Sequence, residues 1–268
     1  MLRALIWDVD GTLAETERDG HRVAFNDAFA AMGLPWRWSV ERYGDLLATS
    51  GGLERLLRDL AERDDAPRDA CERLALAREL HRRKNEAYLR RAAAGTIALR
   101  PGVRRLMQQA RRHGVQLAIA TTTGRANVDA LLARQLGVHW AGCFAAVLCA
   151  EDAPLKKPHP QVYRLALRRL ALRADEALAV EDSPNGVASA RAAGLAVLLT
   201  RSVYFESNDG AGALAVCNDL DSAVCAPGVR DVSGATQVHW PWLCDVHRLS
   251  RRTALPRGSA HPTCRSRA

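Results

Sequence analysis

From Pro101 to Thr200 short apolar runs alternate with segments of helical periodicity, and this alternation constrains the fold more than any other feature. VQLAIATTT (115–123), FAAVLCA (144–150), EALAVED (176–182) and LAVLLT (195–200) read as strands. ANVDALLARQLG (126–137), HPQVYRLALRRLAL (159–172) and NGVASARAAG (185–194) lie between them and read as helices. Strands separated by helices must run parallel, because each crossover returns the chain to the same end of the sheet. The expected core is therefore a doubly wound α/β sheet.

LRALIWDVDGT (2–12) is an apolar run that stops at Asp8-Val9-Asp10-Gly11, a buried strand ending in a polar loop. Next comes a different texture. From about Thr16 to Arg91, Phe25, Phe29 and Met32 recur at helical spacing, as do Leu53, Leu56, Leu57 and Leu60. About four helices and no strand are expected there. The chain thus divides into a first core strand (1–15), an inserted all-helical cap (16–96), the rest of the α/β core (97–225) and a tail (226–268). No internal repeat is visible.

The tail mixes Pro, Gly, Arg, Trp and Cys without a helical or strand face, so disorder is expected. It holds seven Arg and two Asp, hence +5 of the chain's +8, leaving near +3 elsewhere. The abrupt shift fits a natural extension or a change of reading frame. Cys244-x-x-His247 and His261-x-x-Cys264 imitate zinc spacing, but no apolar pattern builds a fold around such a site. No nucleic-acid partner is expected.

No apolar run approaches the ~20 residues of a membrane span, and the N-terminus lacks a signal-peptide pattern. Seven scattered cysteines suggest no disulfide framework. A cytoplasmic, monomeric protein without a membrane partner is expected.

Open α/β sheets bind ligands at the carboxyl ends of their strands. Asp8 and Asp10 follow the first strand, Thr121 ends the second, Lys157 precedes the helix after the third, and Glu181-Asp182 ends the fourth. Singly, each has a commonplace reading: a turn, a structural threonine, a solvated loop lysine, a helix start capped by Ser183. Jointly they place four carboxylates, a hydroxyl and an ammonium around one crevice. Crowded carboxylates repel, and a hard divalent cation such as magnesium relieves that repulsion. Lysine is scarce, with only Lys84, Lys156 and Lys157 in the chain.

These motifs resemble the four signature motifs of haloacid dehalogenase-type phosphotransferases. More narrowly, DVDGTLAETE, AFNDAFAAMG, GGLER, IALRPGV, IATTT, KKPHPQVYRLALR and VEDSPNG are similar to the CbbY-type sugar phosphatases associated with the Calvin cycle. The resemblance runs from Met1 to about Ser222; beyond that no counterpart is expected. In the Gly-Gly-Lys-Glu-Arg loop usual for the family, this chain carries Leu53 in place of the lysine.

The resemblance implies a magnesium-dependent phosphatase acting on a small phosphorylated sugar, such as xylulose bisphosphate, through an aspartyl-phosphate. Asp8 would be the nucleophile and Asp10 the general acid and base. Asp8, the Asp10 carbonyl and Asp182 would hold magnesium, with Glu181 as ligand or outer partner. Thr121 and Lys157 would bind the phosphoryl group, and Gly11 and Thr12 would offer it their backbone N–H groups. Glu17, His21, Tyr43 and Arg55 of the cap are candidates for the rest of the substrate. Asp10 argues against a dehalogenase, which lacks the second aspartate. A phosphonatase needs a cap lysine as Schiff base, and Lys84 lies in a late helix. A sugar phosphomutase shares every core motif, and a catalytically silent binding protein is the reading from another class.

Overall fold

The computed structural model describes residues 1–206, 210, 212–222, 224–225 and 237–253. The first strand, β1 (Ala4–Trp7), is buried throughout and sits mid-sheet between β2 (Gln116–Ala120) and β4 (Ala177–Glu181), parallel to both. With β3 (Ala146–Leu148), β5 (Ala196–Thr200), β6 (Ala215–Cys217) and β7 (Val224–Cys225) the sheet order is β3-β2-β1-β4-β5-β6-β7. All pairs are parallel except β6 with β7, so an antiparallel strand closes one edge.

The two-residue period of a strand divides the core. Leu5 and Trp7 of β1, with Leu178 and Val180 of β4, pack on one face of the sheet. Ala4, Ile6, Ala177 and Ala179 pack on the other. Helices α5 (Val103–Arg112) and α6 (Arg125–Leu136) contribute to the first face, and α7 (Gln161–Leu170) and α8 (Pro184–Ala192) to the second. In α5 the buried positions Val103, Leu106, Met107 and Ala110 follow i, i+3, i+4, i+7. Arginines crowd the rest of its surface and mask that period in the sequence.

The helical block follows β1 as expected: a π-helical turn at Glu17–His21, then α1 (Arg22–Ala31), α2 (Val40–Leu46), α3 (Gly52–Ala61) and α4 (Ala70–Ala94). Phe25, Phe29, Trp38, Tyr43, Leu46, Leu56 and Leu80 form a core of their own. The end of α4 belongs elsewhere: Ala87, Tyr88 and Ala92 join the core of the sheet. The outgoing and returning strands of chain lie side by side, with Ala14 bridged to Leu99 and the Arg100 N–H donating to the Leu13 carbonyl at 2.8 Å.

The expectation of disorder over 226–268 is corrected for part of that segment. Helix α9 (Trp240–Thr253) lies within it. Val238, Trp240, Trp242, Leu243 and Val246 are buried in the same core as α5. Arg105 donates to the Val238 carbonyl at 2.8 Å. The apolar positions 240, 243 and 246 form a stripe that Pro241, Cys244 and the surrounding arginines concealed from a reading by composition. The rest of the segment, including His261 and Cys264, lies outside the described residues. None of the described helices is long and apolar enough to cross a membrane.

Candidate active site

The site follows from strand register. Trp7 pairs with Val180, so the next residues, Asp8 and Glu181, leave adjacent strands side by side, and Asp182 follows. The Asp8 N–H still donates to the Val180 carbonyl at 3.0 Å, holding the loop against β4. The carboxylates of Asp8, Glu181 and Asp182 are buried, each with an oxygen within 4.8 Å of the others'. Lys157 Nζ donates to Asp8 Oδ1 and to Glu181 Oε1, each at 2.6 Å. Tyr163 donates its hydroxyl to Glu181 Oε1, and Glu181 Oε2 accepts from the Asp182 N–H at 3.2 Å.

Electrostatics suits this cluster to a cation. Burial, then the charges of Glu181 and Asp10, push Asp8 up to about 8 against the pull of Lys157. Burial, with Asp8 and Glu181 beside it, likewise raises Asp182. Burial opposes the charge on Lys157, yet Asp8 and Glu181 hold its ammonium above the ordinary lysine range. One lysine against three buried carboxylates leaves a deficit of positive charge. An all-oxygen donor set of this kind fits a hard divalent ion.

Asp10 points away from that trio. Thr16 donates to its Oδ1 at 2.5 Å, His21 Nε2 lies 3.0 Å from Oδ1, and Thr123 donates to Oδ2. Burial alone would favour the neutral acid, but His21, Thr123 and Thr16 outweigh it and hold the carboxyl well below its usual range. The ring of His21 stacks on Tyr88, centroids 4.2 Å apart.

A cavity of about 480 Å³ opens between these groups and the helical block. Asp8, Asp10, Lys157 and Asp182 line its floor, and Glu17, His21, Arg55 and Lys84 line it from the cap. Arg55 forks onto Glu17, 3.1 Å from Nη2 to Oε1 and 3.3 Å from Nη1 to Oε2, and Tyr43 donates to Glu17 Oε2 at 2.5 Å. Tyr43 is fully buried and does not reach the cavity wall, so it acts through Glu17.

Other expectations change in detail. The Gly11 N–H donates to the Ala14 carbonyl at 2.8 Å, so it is engaged within its own turn instead of being offered to a phosphate. Thr12 is buried and does not line the cavity. Thr121 is buried and its Oγ1 accepts from the Thr123 N–H at 3.2 Å, while Thr122 and Thr123 line the cavity. Leu53 packs against the apolar core of the cap and is absent from the lining, so the loop position where the resemblance leads one to expect lysine does not face the cavity here.

Sequence reasoning passed over Thr16, Thr123 and Lys84. The run Thr121–Thr123 was a signal for the second. Lysine scarcity is a signal for the third, and its place in a late helix hides it. Helix α4 carries it to the cavity, where it is buried over the rings of Phe25 and Tyr88, 5.1 and 5.5 Å from their centroids. Burial lowers its pKa to about 8, although Glu17 and Asp10 oppose the shift.

A family model described as haloacid dehalogenase-like hydrolase matches residues 2–194. The chain is 46% identical to the protein CbbY of Rhodobacter capsulatus over 222 residues, covering 83% of this chain and 95% of that one. It is 45% identical to the plasmid-borne CbbY of Cupriavidus necator over 254 residues, 95% of this chain and 99% of the relative. That span carries the likeness well past Ala226. The expectation that the tail has no counterpart in the family is therefore corrected, and the change-of-frame reading loses its ground. Among solved structures, CbbY from Rhodobacter sphaeroides in complex with phosphate is 40% identical, with a TM-score of 0.75 over 82% of this chain and 95% of that one. A mutant of the same protein, in complex with xylulose-(1,5)bisphosphate, superposes equally well.

Proposed function

This chain belongs to the haloacid dehalogenase-like hydrolase family, and from that premise we propose that it is a magnesium-dependent phosphatase of small phosphorylated sugars, xylulose bisphosphate among them. The observation that carries the reading is the buried trio Asp8, Glu181 and Asp182, bridged by Lys157 and roofed by Glu17, His21, Arg55 and Lys84. The relative crystallised with a sugar bisphosphate supports the substrate class.

Phosphate monoesters resist hydrolysis because their anionic oxygens repel a nucleophile, so the site must neutralise charge and hold atoms in line. The Asp8 carboxylate attacks phosphorus and forms an aspartyl-phosphate, dividing one hard step into two. Lys157, already against Asp8, stabilises the transferring oxygens. Thr122 and Thr123, which line the cavity with Thr121 buried behind them, would offer a phosphoryl oxygen a hydroxyl or N–H donor.

Asp10 protonates the departing sugar oxygen and later takes a proton from water. In the structure it is held as a carboxylate by His21, Thr16 and Thr123, the form required for the second task. A phosphate dianion entering beside it raises its pKa and favours the protonated form required for the first. Asp8, Asp182 and the Asp10 carbonyl would hold magnesium. Glu181, whose two oxygens already accept from Lys157, Tyr163 and the Asp182 N–H, serves as the outer partner. When bound, the ion supplies positive charge against the phosphoryl oxygens.

In the cap, Arg55 and Lys84 are the cations available to the far end of the substrate, and Glu17 and His21 the groups for its hydroxyls. A panel of phosphorylated sugars, mono- and bisphosphates, assayed for phosphate release with magnesium, tests the reading. Accumulation of an isomerised sugar phosphate in place of inorganic phosphate would make the chain a mutase. The absence of turnover across the panel would leave a binding protein.

A further inference from the structure

Arg100 lies outside the cavity and has no place in the chemistry above, yet it is buried, its two Nη groups donate to four backbone carbonyls and its Nε lies against a carboxylate. Its Nε lies 3.1 Å from Glu15 Oε1. Nη1 donates to the carbonyl of Gly11 and to that of Thr200 at 3.2 Å. Nη2 donates to the carbonyl of Arg201 and to that of Asn218 at 2.7 Å. One planar group thus ties three loops: the turn after β1, the corner after β5 and the loop after β6.

Two of those loops converge on one carboxylate. Gly11 has φ +82° and lies so near Asp182 that a Cβ there would overlap Asp182 Oδ2; it would also lie 3.2 Å from Ser202 Cβ. Ser202, next to the held carbonyl of Arg201, is buried and hydrogen-bonds Asp182. The position of Asp182 is therefore set by Gly11 on one side and Ser202 on the other, and Arg100 holds the backbone of both segments. Gly11 in turn sits three residues after Asp8 and one after Asp10.

We infer that Arg100 is a positioning residue, which fixes Asp182 against the Asp8–Gly11 turn by clamping the carbonyls on either side of it. The inference rests on the phosphatase reading for its kinetic consequences, but not for its effect on metal affinity. A lysine at this position keeps the charge and loses the fork, since three tetrahedral donors cannot serve five acceptors spread around a plane. The consequence of loosening the clamp is a misplaced ligand and a misaligned nucleophile, with substrate contacts in the cap left alone.

The test compares wild type, Arg100→Lys, Arg100→Ala and a destabilised control, Leu170→Ala, whose side chain is buried at the end of α7. Calorimetric titration with Mg²⁺ alone gives metal affinity, and steady-state assays on the best sugar phosphate give kcat and KM. Both Arg100 variants are expected to bind Mg²⁺ at least about tenfold more weakly. Their kcat should fall roughly ten- to a hundredfold, with KM within about twofold of wild type. Leu170→Ala should lose melting temperature while keeping both affinity and kcat. Wild-type Mg²⁺ affinity in Arg100→Lys overturns the inference, as does a loss in Leu170→Ala that matches that of the Arg100 variants. If neither Arg100 variant folds, Ser202→Ala decides: weaker Mg²⁺ binding supports the clamp, and unchanged binding overturns it. A wild type that binds Mg²⁺ but releases no phosphate from any sugar refutes the phosphatase reading, and the calorimetric comparison still judges Arg100.

Discussion

Lys157 Nζ lies 2.6 Å from Asp8 Oδ1, and the two residues stand 149 positions apart in the chain. The ammonium works against the burial that raises the Asp8 carboxyl, and a cation bound beside it would complete the neutralisation that keeps the nucleophile ionised. Asp8→Asn removes the attacking anion and retains the shape. Phosphate release should fall at least about a thousandfold, with the far-UV circular dichroism of the wild type. Turnover near the wild-type rate would remove Asp8 from the mechanism.

Metal removal should be as damaging. Exhaustive chelation is expected to abolish activity, and added Mg²⁺ to restore it. Because a cation relieves the repulsion among Asp8, Glu181 and Asp182, Mg²⁺ should also raise the melting temperature of the wild type. At a hundred times its dissociation constant a ligand adds about 2.7 kcal/mol of stability. Asp182→Ala should lose most of that stabilisation. Full activity in chelated buffer would count decisively against a metal.

Lys84 makes the cap pH-sensitive. With a pKa near 8, its ammonium is charged below that pH and neutral above it. An anionic substrate held by it binds more weakly as pH rises, so kcat/KM should fall about fivefold or more between pH 7 and 9.5. Lys84→Met should lack this limb. The sign for stability is opposite: the folded pKa lies below the unfolded value, so burying the ammonium costs stability below about pH 8. That cost is relieved as pH climbs toward 10.5, the ordinary lysine value. Lys84→Met should therefore not lower the melting temperature at pH 7. A kcat/KM for wild type that is flat to pH 9.5 would exclude Lys84 from substrate binding.

Leu53→Lys introduces the residue that the family resemblance leads one to expect, but here the side chain packs on the cap's apolar core. The expected result is a melting temperature lower by a few degrees and an unchanged ranking of bisphosphates over monophosphates, because the lysine stem can cover apolar surface only if its head escapes to water. A marked gain for bisphosphates would show that the loop turns toward the cavity.

Truncation after Ala226 removes Val238, Trp240, Trp242, Leu243 and Val246 from the core. Each such side chain contributes roughly 1.5–3 kcal/mol on burial. A loss of 1 kcal/mol lowers the melting temperature of a chain this size by about 2–4 °C, so a fall of roughly 10 °C or more is expected. No described residue of α5 or α9 lines the cavity, so kcat at low temperature should stay within about twofold. An unchanged melting temperature would mean that α9 adds nothing to the fold.

Local pattern was enough to determine the strands and crossover helices from β2 to β5, the helical insertion after β1 and the strand-end placement of Asp8, Asp10, Lys157 and Asp182, because hydrophobic period and chain order are properties of neighbouring residues. Tertiary structure decided what depends on meetings across distance. It turned α4 so that Lys84 reaches the cavity, set Leu53 and Tyr43 into the cap core, engaged the Gly11 N–H with Ala14 and paired Asp10 with His21 and Thr123 instead of with the other carboxylates. It also gave α9 a place on α5, where a segment too polar and irregular to announce a helix gains its order from the apolar surface it covers.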